Sequence, residues 1–264
     1  MPSIFAYQSS EVDWCESNFQ HSQFVAEFYN TFSNVIFFIL GPLIMYLMHP
    51  YTQKRSGHIY HVWVLFMVIG LFSMYFHMTL SFLGQLLDEI SILWFLACCY
   101  SIWLPRCYFP TFLGKNRARF ARLVFVITVV STFLSFLRPT VNAYILNCVG
   151  LHIFYLAVQE YKKTNNKDIR HLVEVSTVLW AFALTSWLSD RFLCSFWQRI
   201  HFFYLHSIWH VFISITFPYG ITAMVLVEGS YEMPGQILKV RYWPRDTWPV
   251  GLPYVEIQDD NKNC

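Results

Sequence analysis

Two histidines in an apolar part of the chain are the residues best suited to chemistry. The stretch YLHSIWH, residues 204–210, places His206 and His210 four positions apart. This spacing puts both imidazoles on one side of a helix, where they can ligate the same metal ion. Alone, the pair could equally form hydrogen bonds with neighbouring helices, so a third ligand has to decide between the two interpretations.

Acidic and hydroxyl side chains near a third histidine, His77, could complete such a site. Ser73 precedes His77 by one helical turn and could donate to an oxyanion, although a serine in a membrane helix can also bond to its own backbone. Asp88 and Glu89 follow after a turn, and ionisable groups at membrane depth are functional candidates. Glu89 fits the simpler role of an acid in a first helical turn, so Asp88 is the predicted acid–base residue.

The N-terminal region carries a second group of candidate ligands. It contains closely spaced acids and an amide, with no basic residue nearby. Carboxylate, amide and carbonyl oxygens suit a hard cation such as Ca²⁺, which takes about six to eight of them. A solvated acidic terminus is the commoner meaning of such a run, and the spacing does not match an EF-hand loop. The candidate ligands are Asp13, Trp14 through its carbonyl, Glu16, Asn18 and Glu27.

The elements that must position these residues are membrane helices. The chain has 264 residues, of which 56% are apolar, 20% aromatic and only 13% charged. A helix needs about 20 mostly apolar residues to cross a bilayer, and the sequence contains seven such stretches. The predicted spans lie near 32–49, 60–80, 89–105, 120–138, 141–159, 172–190 and 201–227.

Basic residues predict the orientation, because cytoplasmic loops accumulate Lys and Arg. With the N-terminus outside, 15 of the 18 Lys and Arg residues fall on the inner side, and the outer side receives only Arg138, Arg191 and Arg199. The N-terminus is therefore expected in the lumen or exterior, and the C-terminus in the cytosol. No cleavable signal peptide is expected before the first span, because that region is polar and acidic.

This orientation places three histidines at matched depth. The second span runs outward and ends near Leu80, and the seventh runs inward from about His201. His77, His206 and His210 then lie roughly 5–14 Å inside the outer boundary. Three neutral imidazoles leave one tetrahedral position open on zinc, as in catalytic sites. Zinc activates water and polarises carbonyls, which predicts hydrolysis of a lipid whose scissile bond lies near the headgroup.

Two of the seven cysteines, Cys15 and Cys194, fall on the outer side, and the other five lie in spans or face the cytosol. An oxidising compartment favours a disulfide between the pair, which would tie the N-terminal segment to the loop after the sixth span. Two free thiols are the alternative.

The predicted architecture is an all-α integral membrane protein with seven transmembrane helices. No internal repeat or low-complexity stretch divides the chain, so residues 1–264 form one domain. Residues 1–31 form a luminal calcium-binding segment, and residues 228–264 a cytosolic tail that lies at the interface or is disordered. The basic residues have the distribution expected for the cytoplasmic loops of a membrane protein, so nucleic-acid binding is not predicted. No obligate protein partner is predicted either.

Several motifs together resemble the alkaline ceramidase family. They are DWCESN at 13–18, Glu27 with FYNTFSN at 28–34, SMYFH at 73–77, Asp88, and HSIWH at 206–210. They occur in order and extend over essentially the whole chain. The resemblance implies a Zn²⁺ site at His77, His206 and His210, catalytic Asp88 and Ser73, and a Ca²⁺ site on the five N-terminal residues.

The same resemblance implies hydrolysis of ceramide to sphingosine and a free fatty acid in the endoplasmic reticulum membrane, supported by calcium, with ceramide and membrane lipids as the partners. Two other classes stay open. One is a seven-span receptor of the progestin and adiponectin receptor type with structural zinc, and the other is a transporter or redox protein that binds haem. The acid and serine beside the histidines favour the hydrolase, and a histidine pair on one helix does not suit haem.

Overall fold

A computed structural model describes residues 3–246 and 251–258, which form ten α-helices, two short 3-10 turns and one β-hairpin. The helices are α1 Phe28–Ser33, α2 Val35–Leu47, α3 His49–Arg55, α4 Ile59–Thr79, α5 Phe82–Trp103, α6 Arg117–Leu137, α7 Pro139–Lys163, α8 Lys167–Phe192, α9 Cys194–Arg199 and α10 Leu205–Glu232. The strands are β1 Ile237–Trp243 and β2 Leu252–Gln258.

Seven helical segments of the described chain are long and apolar enough to cross a membrane, which confirms the predicted count. The first combines α1 and α2 as Phe28–Leu47, and the others are α4, α5, α6, α7, α8 and α10. Pro42 lies inside α2 and Pro218 inside α10. Membrane helices tolerate proline because neighbouring groups can satisfy the backbone positions that it frees.

The start of the third span differs from the sequence prediction. α5 begins at Phe82, and the Ser81 side chain accepts a hydrogen bond from the Gly84 amide as an N-cap. Asp88 and Glu89 therefore lie in the second turn, and the prediction that they open the span is wrong. The apolar-run criterion missed this first turn because it carries polar side chains that the fold buries, such as Gln85.

The helices converge on α10, which packs along α8 and through the centre of the bundle. Its Phe217 meets Phe95 of α5 and Phe66 of α4, with ring centroids 4.7 Å and 6.3 Å apart. α2 and α4 approach closely at Gly70, where an added Cβ would lie 2.6 Å from Phe37 Cβ. Small residues permit such close backbone approach between membrane helices.

The segment before α1 packs against the C-terminal end of α4 through backbone hydrogen bonds. The amides of Ala26 and Glu27 donate to the carbonyls of Met78 and His77 at 2.9 and 3.0 Å. Ser10 N donates to Leu80 O at 2.9 Å. A disulfide joins Cys15 to Cys194, so the segment is also attached to α9.

The tail contains the main departure from the predicted all-α architecture. β1 and β2 form an antiparallel hairpin, and Val240, Tyr242 and Val255 are buried in the principal apolar core. Tyr219 of α10 donates its hydroxyl to the Gly251 carbonyl at 2.7 Å. The expectation of a disordered tail is therefore wrong for residues 237–243 and 252–258, and a position at the membrane interface stays a prediction. Residues 247–250 and 259–264 of the predicted tail lie outside the described residues.

Candidate active site

Three buried histidines from α4 and α10 meet near the end of the bundle where α4 ends and α10 begins. His77 lies two residues before the end of α4, and His206 and His210 lie on the first two turns of α10. Their ring centroids form a nearly equilateral triangle with sides of 4.9, 5.0 and 4.7 Å. One ligand atom from each ring lies within 4.8 Å of the other two. The structure thus brings together all three predicted zinc ligands.

Polar side chains near the start of the first span contact the Nδ1 atoms of two of these rings. His77 Nδ1 lies 2.5 Å from Glu27 Oε2. His210 Nδ1 lies 2.7 Å from Ser33 Oγ and 3.4 Å from Asn34 Nδ2. Metal-ligating histidines usually use their second ring nitrogen in this way, which fixes the tautomer and the ring orientation.

The donor set of this cluster fits a zinc ion. His77 Nε2 and His206 Nδ1 are buried and have no hydrogen-bond partner among the described residues. A buried polar atom without a partner costs free energy, and a metal ion would satisfy both nitrogens. Three imidazoles at this separation suit tetrahedral zinc with one position left for water or substrate.

Ser73 and Asp88 lie beside the third imidazole. Ser73 Oγ is 3.5 Å from His210 Nε2, and Asp88 lines the same small cavity as these two residues. Asp88 projects from α5 towards α4, whereas the adjacent Glu89 accepts from Gln85 Nε2 at 3.0 Å. The two neighbouring acids therefore belong to different surroundings, and only Asp88 reaches the histidine cluster.

A small cavity of about 10 Å³, room for about one water molecule, lies beside these polar groups. Ser73, Asp88, Asn34 and His210 provide its polar wall. Its apolar wall consists of Phe37, Ile69, Ile92, Trp209, Ile213 and Phe217. Successive turns of α10 contribute to both walls, so polar and apolar side chains meet next to the histidines.

The predicted calcium ligands gather at the mouth of the site, beside the histidine cluster, but contact one another only in part. Asn18 Nδ2 donates to both carboxylate oxygens of Asp13, at 3.3 and 3.2 Å. The Glu16 carboxylate instead accepts from the amides of Tyr29 and Asn30 at the start of α1, at 2.7 and 2.9 Å. The buried Asn18 Oδ1 lacks a partner among the described residues, as expected for an oxygen that a cation would bind.

Two of these acids are deeply buried. Glu16 is 4% exposed and Glu27 fully buried. Burial raises the pKa of Glu16 and raises that of Glu27 to about 8, because water no longer solvates the carboxylates. Neither forms an ion pair with Lys or Arg within the described part of the chain. A divalent cation at the mouth would offset this buried negative charge.

Trp14 has a role that its predicted backbone ligation did not include. Its ring stacks on His206 at a centroid distance of 3.7 Å and meets Trp187 of α8 edge-on at 5.7 Å. Its backbone amide donates to Glu27 Oε1 at 3.1 Å. The Glu27 carboxylate therefore contacts both the N-terminal segment and a histidine of the cluster.

Sequence reasoning missed the polar face of α1. Asn30 donates from its side chain to Glu27 Oε2 at 3.2 Å and accepts from Ser207 Oγ at 2.7 Å. Together with Ser33 and Asn34, it lies at helical spacing inside the motif FYNTFSN. Three polar residues on one face of a membrane helix were the available signal.

Comparison with known proteins identifies the family of this chain. The sequence profile described as Ceramidase matches residues 6–256. The chain belongs to the ceramidase family. It is 78% identical to human alkaline ceramidase 1 and 72% identical to the mouse protein, over the whole of this chain and 100% and 97% of theirs. A Drosophila melanogaster alkaline ceramidase is 38% identical over 96% of this chain and 90% of its own length. The predicted family and the assignment to an enzyme class are thus confirmed for this ceramidase.

Proposed function

We propose that this ceramidase is a zinc-dependent amide hydrolase that converts ceramide to sphingosine and a free fatty acid. The observation that carries the proposal is the position of Asp88 and Ser73 beside three buried histidines, with apolar side chains lining the same small cavity. A ceramide carries the corresponding groups, with an amide near its polar end and two long apolar chains.

The histidines and their partners would form the metal-binding part of the site. Zinc held by His77, His206 and His210 would polarise the amide carbonyl and make water more acidic. Glu27 and Ser33 orient the rings of His77 and His210 through the Nδ1 atoms. These contacts keep the remaining ring nitrogens directed at one point.

The acid and the serine would move protons and stabilise charge. Asp88 takes a proton from the attacking water while the water oxygen bonds to the amide carbon. It returns the proton to the leaving nitrogen as the C–N bond breaks, giving a carboxylic acid and an amine. Ser73 donates its hydroxyl hydrogen to the carbonyl oxygen as negative charge develops there.

We propose that Ca²⁺ binds at the outer mouth to Asp13, the Trp14 carbonyl, Glu16, Asn18 and Glu27. Its role would be structural, because the Asp13–Asn18 pair and the buried Glu27 belong to the segment that carries Trp14 onto His206. The disulfide of Cys15 to Cys194 would hold the same segment in place. The predicted orientation then puts this mouth in the lumen of the endoplasmic reticulum and the C-terminus in the cytosol.

A seven-span receptor with structural zinc is the rival function. A structural site needs no acid–base group and usually fills all four zinc positions with protein ligands. Asp88 and Ser73 on one cavity wall with His210 favour the hydrolase instead.

The proposal is tested by incubating the purified full-length chain in lipid vesicles with ceramides of several acyl lengths and measuring sphingosine by mass spectrometry. Sphingosine should form with at least one ceramide and should stop forming when a zinc chelator removes the metal. A zinc-loaded preparation that releases no sphingosine from any ceramide would contradict it.

A further inference from the structure

The connection between α8 and α10 carries an exposed row of large apolar side chains. Phe192, Phe196 and Ile200 are 73%, 52% and 52% exposed and follow one another at intervals of four residues. At about 100° per residue, this spacing keeps them on one side of a nearly helical path. We call these three residues the apolar stripe.

The opposite side of the same path is attached to the N-terminal segment. Cys194 forms the disulfide with Cys15, and Gln198 Nε2 donates to the Cys15 carbonyl at 3.2 Å. Arg191 Nη1 donates to the Asp13 carbonyl at 3.0 Å. One face of α9 is therefore fixed to protein, which leaves the apolar stripe facing outward.

The apolar stripe continues the outer surface of a membrane span. Phe182 and Leu188 of α8 are exposed on the surface that precedes Phe192 along the same helix. α9 follows immediately after α8, so a bilayer around the seven spans would meet the stripe at its edge. The exposed basic residue Arg199 borders it. Apolar side chains bordered by Arg are typical of helices that lie in the membrane interface.

We propose that the apolar stripe inserts into the lipid leaflet on the histidine side of the membrane, at the level of the headgroups. The partner is the bilayer surface itself. By anchoring α9, the leaflet would keep Cys15 in place, and with it the adjacent Trp14 over His206. The activity arm of the test below rests on the proposed ceramide hydrolysis, whereas the lipid-contact arm does not.

The lipid-contact arm uses the wild-type chain in vesicles that contain a phospholipid with a photoactivatable diazirine near its glycerol backbone. Carbene cross-links, located by peptide mass spectrometry, should occur at residues 192–200. Labelling of the exposed α8 residue Phe182 by a second lipid with a chain-centre diazirine is the positive control. If Phe182 is labelled and residues 192–200 are not labelled by the first lipid, the proposal is wrong.

The activity arm compares the double variant F196S/I200S with F112S, which replaces an aromatic side chain that is 75% exposed near the opposite ends of the helices. With long-chain ceramide in vesicles, F196S/I200S should lose about tenfold in kcat/KM because interfacial anchoring is lost. It should stay within about twofold of wild type on short-chain ceramide in detergent micelles, and F112S should retain its activity in both. An equal loss in vesicles and micelles would overturn the proposal, because the stripe would then act only on the fold.

Discussion

Asp88 and Glu89 are adjacent in the sequence, yet the fold gives them different surroundings. Asp88 shares a cavity wall with His210 and Ser73, while Glu89 accepts a hydrogen bond from Gln85 on its own helix. Consecutive residues of a helix differ in direction by about 100°, so only one of two neighbouring acids can face the histidines. The sequence favoured Asp88 on this ground, although it placed both residues one turn too early in the helix.

The difference between the two acids gives a test with a matched control. D88N should lower kcat by about 10²–10⁴-fold, the usual contribution of a general acid–base group, while zinc remains bound. E89Q, an equally conservative change one position away, should retain most of the activity. The measurement is steady-state sphingosine release together with metal content. An active D88N, or equal losses in the two variants, would remove Asp88 from the mechanism.

The partners behind the imidazoles were harder to predict from the sequence. Glu27 was predicted as a calcium ligand, and the structure shows its carboxylate against His77 Nδ1 as well as the Trp14 amide. Ser33 and Asn34 were not singled out, although they meet His210. Contacts between residues more than 170 positions apart depend on how α1 is rotated about its axis. Periodicity fixes that rotation poorly in a helix of only six residues, which is less than two turns.

At the scale of elements, an ion-pair cluster joins the inner ends of several helices. The fully buried Glu228 of α10 pairs with Arg55 of α3 and lies 3.7 Å from Arg117 Nη2 of α6. Glu232, one turn later, pairs with the half-exposed Arg106 at 3.0 Å. These contacts tie the end of α10 to elements from three other parts of the chain.

Removing the buried acid of this cluster should destabilise the fold. E228Q leaves Arg55 without its buried counter-charge and leaves Arg117 with only Glu232, 3.6 Å away, which should lower the free energy of unfolding by about 3–5 kcal/mol. E232Q is the comparison: its partner Arg106 is half-exposed and Arg117 keeps its contact with Glu228, so its cost should stay near about 1 kcal/mol. Thermal unfolding in detergent micelles measures both. If E228Q melts at the wild-type temperature, the cluster does not hold these helices together.

The same scale shows which elements the sequence could reveal. Seven long apolar runs predict seven spans, because a long apolar helix is the element best suited to cross a bilayer core. This count is confirmed. The hairpin was missed, although ILKVRYW and LPYVEIQ carry strand-like β-branched and aromatic residues. Its inner face closes on α10, and such a tertiary contact is not visible in either strand alone.

At the scale of the whole molecule, the N-terminal segment connects otherwise distant parts. It bonds to the end of α4 through Ala26, to α9 through Cys15 and to the histidine cluster through Trp14. The segment has no regular periodicity, so its path could not be predicted from the sequence. The outer position of Cys15 and Cys194 was the one sequence signal that pointed to the contact with α9.

Calcium dependence can be assigned to this segment by changing a residue that does not contact the histidines. A calcium-selective chelator should lower the activity of the wild type, because the proposed cation balances buried acids and fixes the segment. D13N should have lower activity than wild type and should respond little to the chelator, since one carboxylate ligand is already lost. The readout is sphingosine release across a calcium titration. Equal fractional losses in both proteins would place the calcium effect elsewhere.

The central claim is that the three-histidine cluster holds the zinc that hydrolysis requires, and metal titration of the purified chain tests it most directly. Zinc is removed with a chelator and returned in steps, with bound zinc and sphingosine release measured on the same samples. Activity should disappear with the metal and return in proportion to zinc bound, up to about one ion per chain, as expected for one three-histidine site. H77A, H206A and H210A should neither bind zinc at this site nor recover. Full activity in zinc-free protein, or stoichiometric zinc in H206A, would contradict the account.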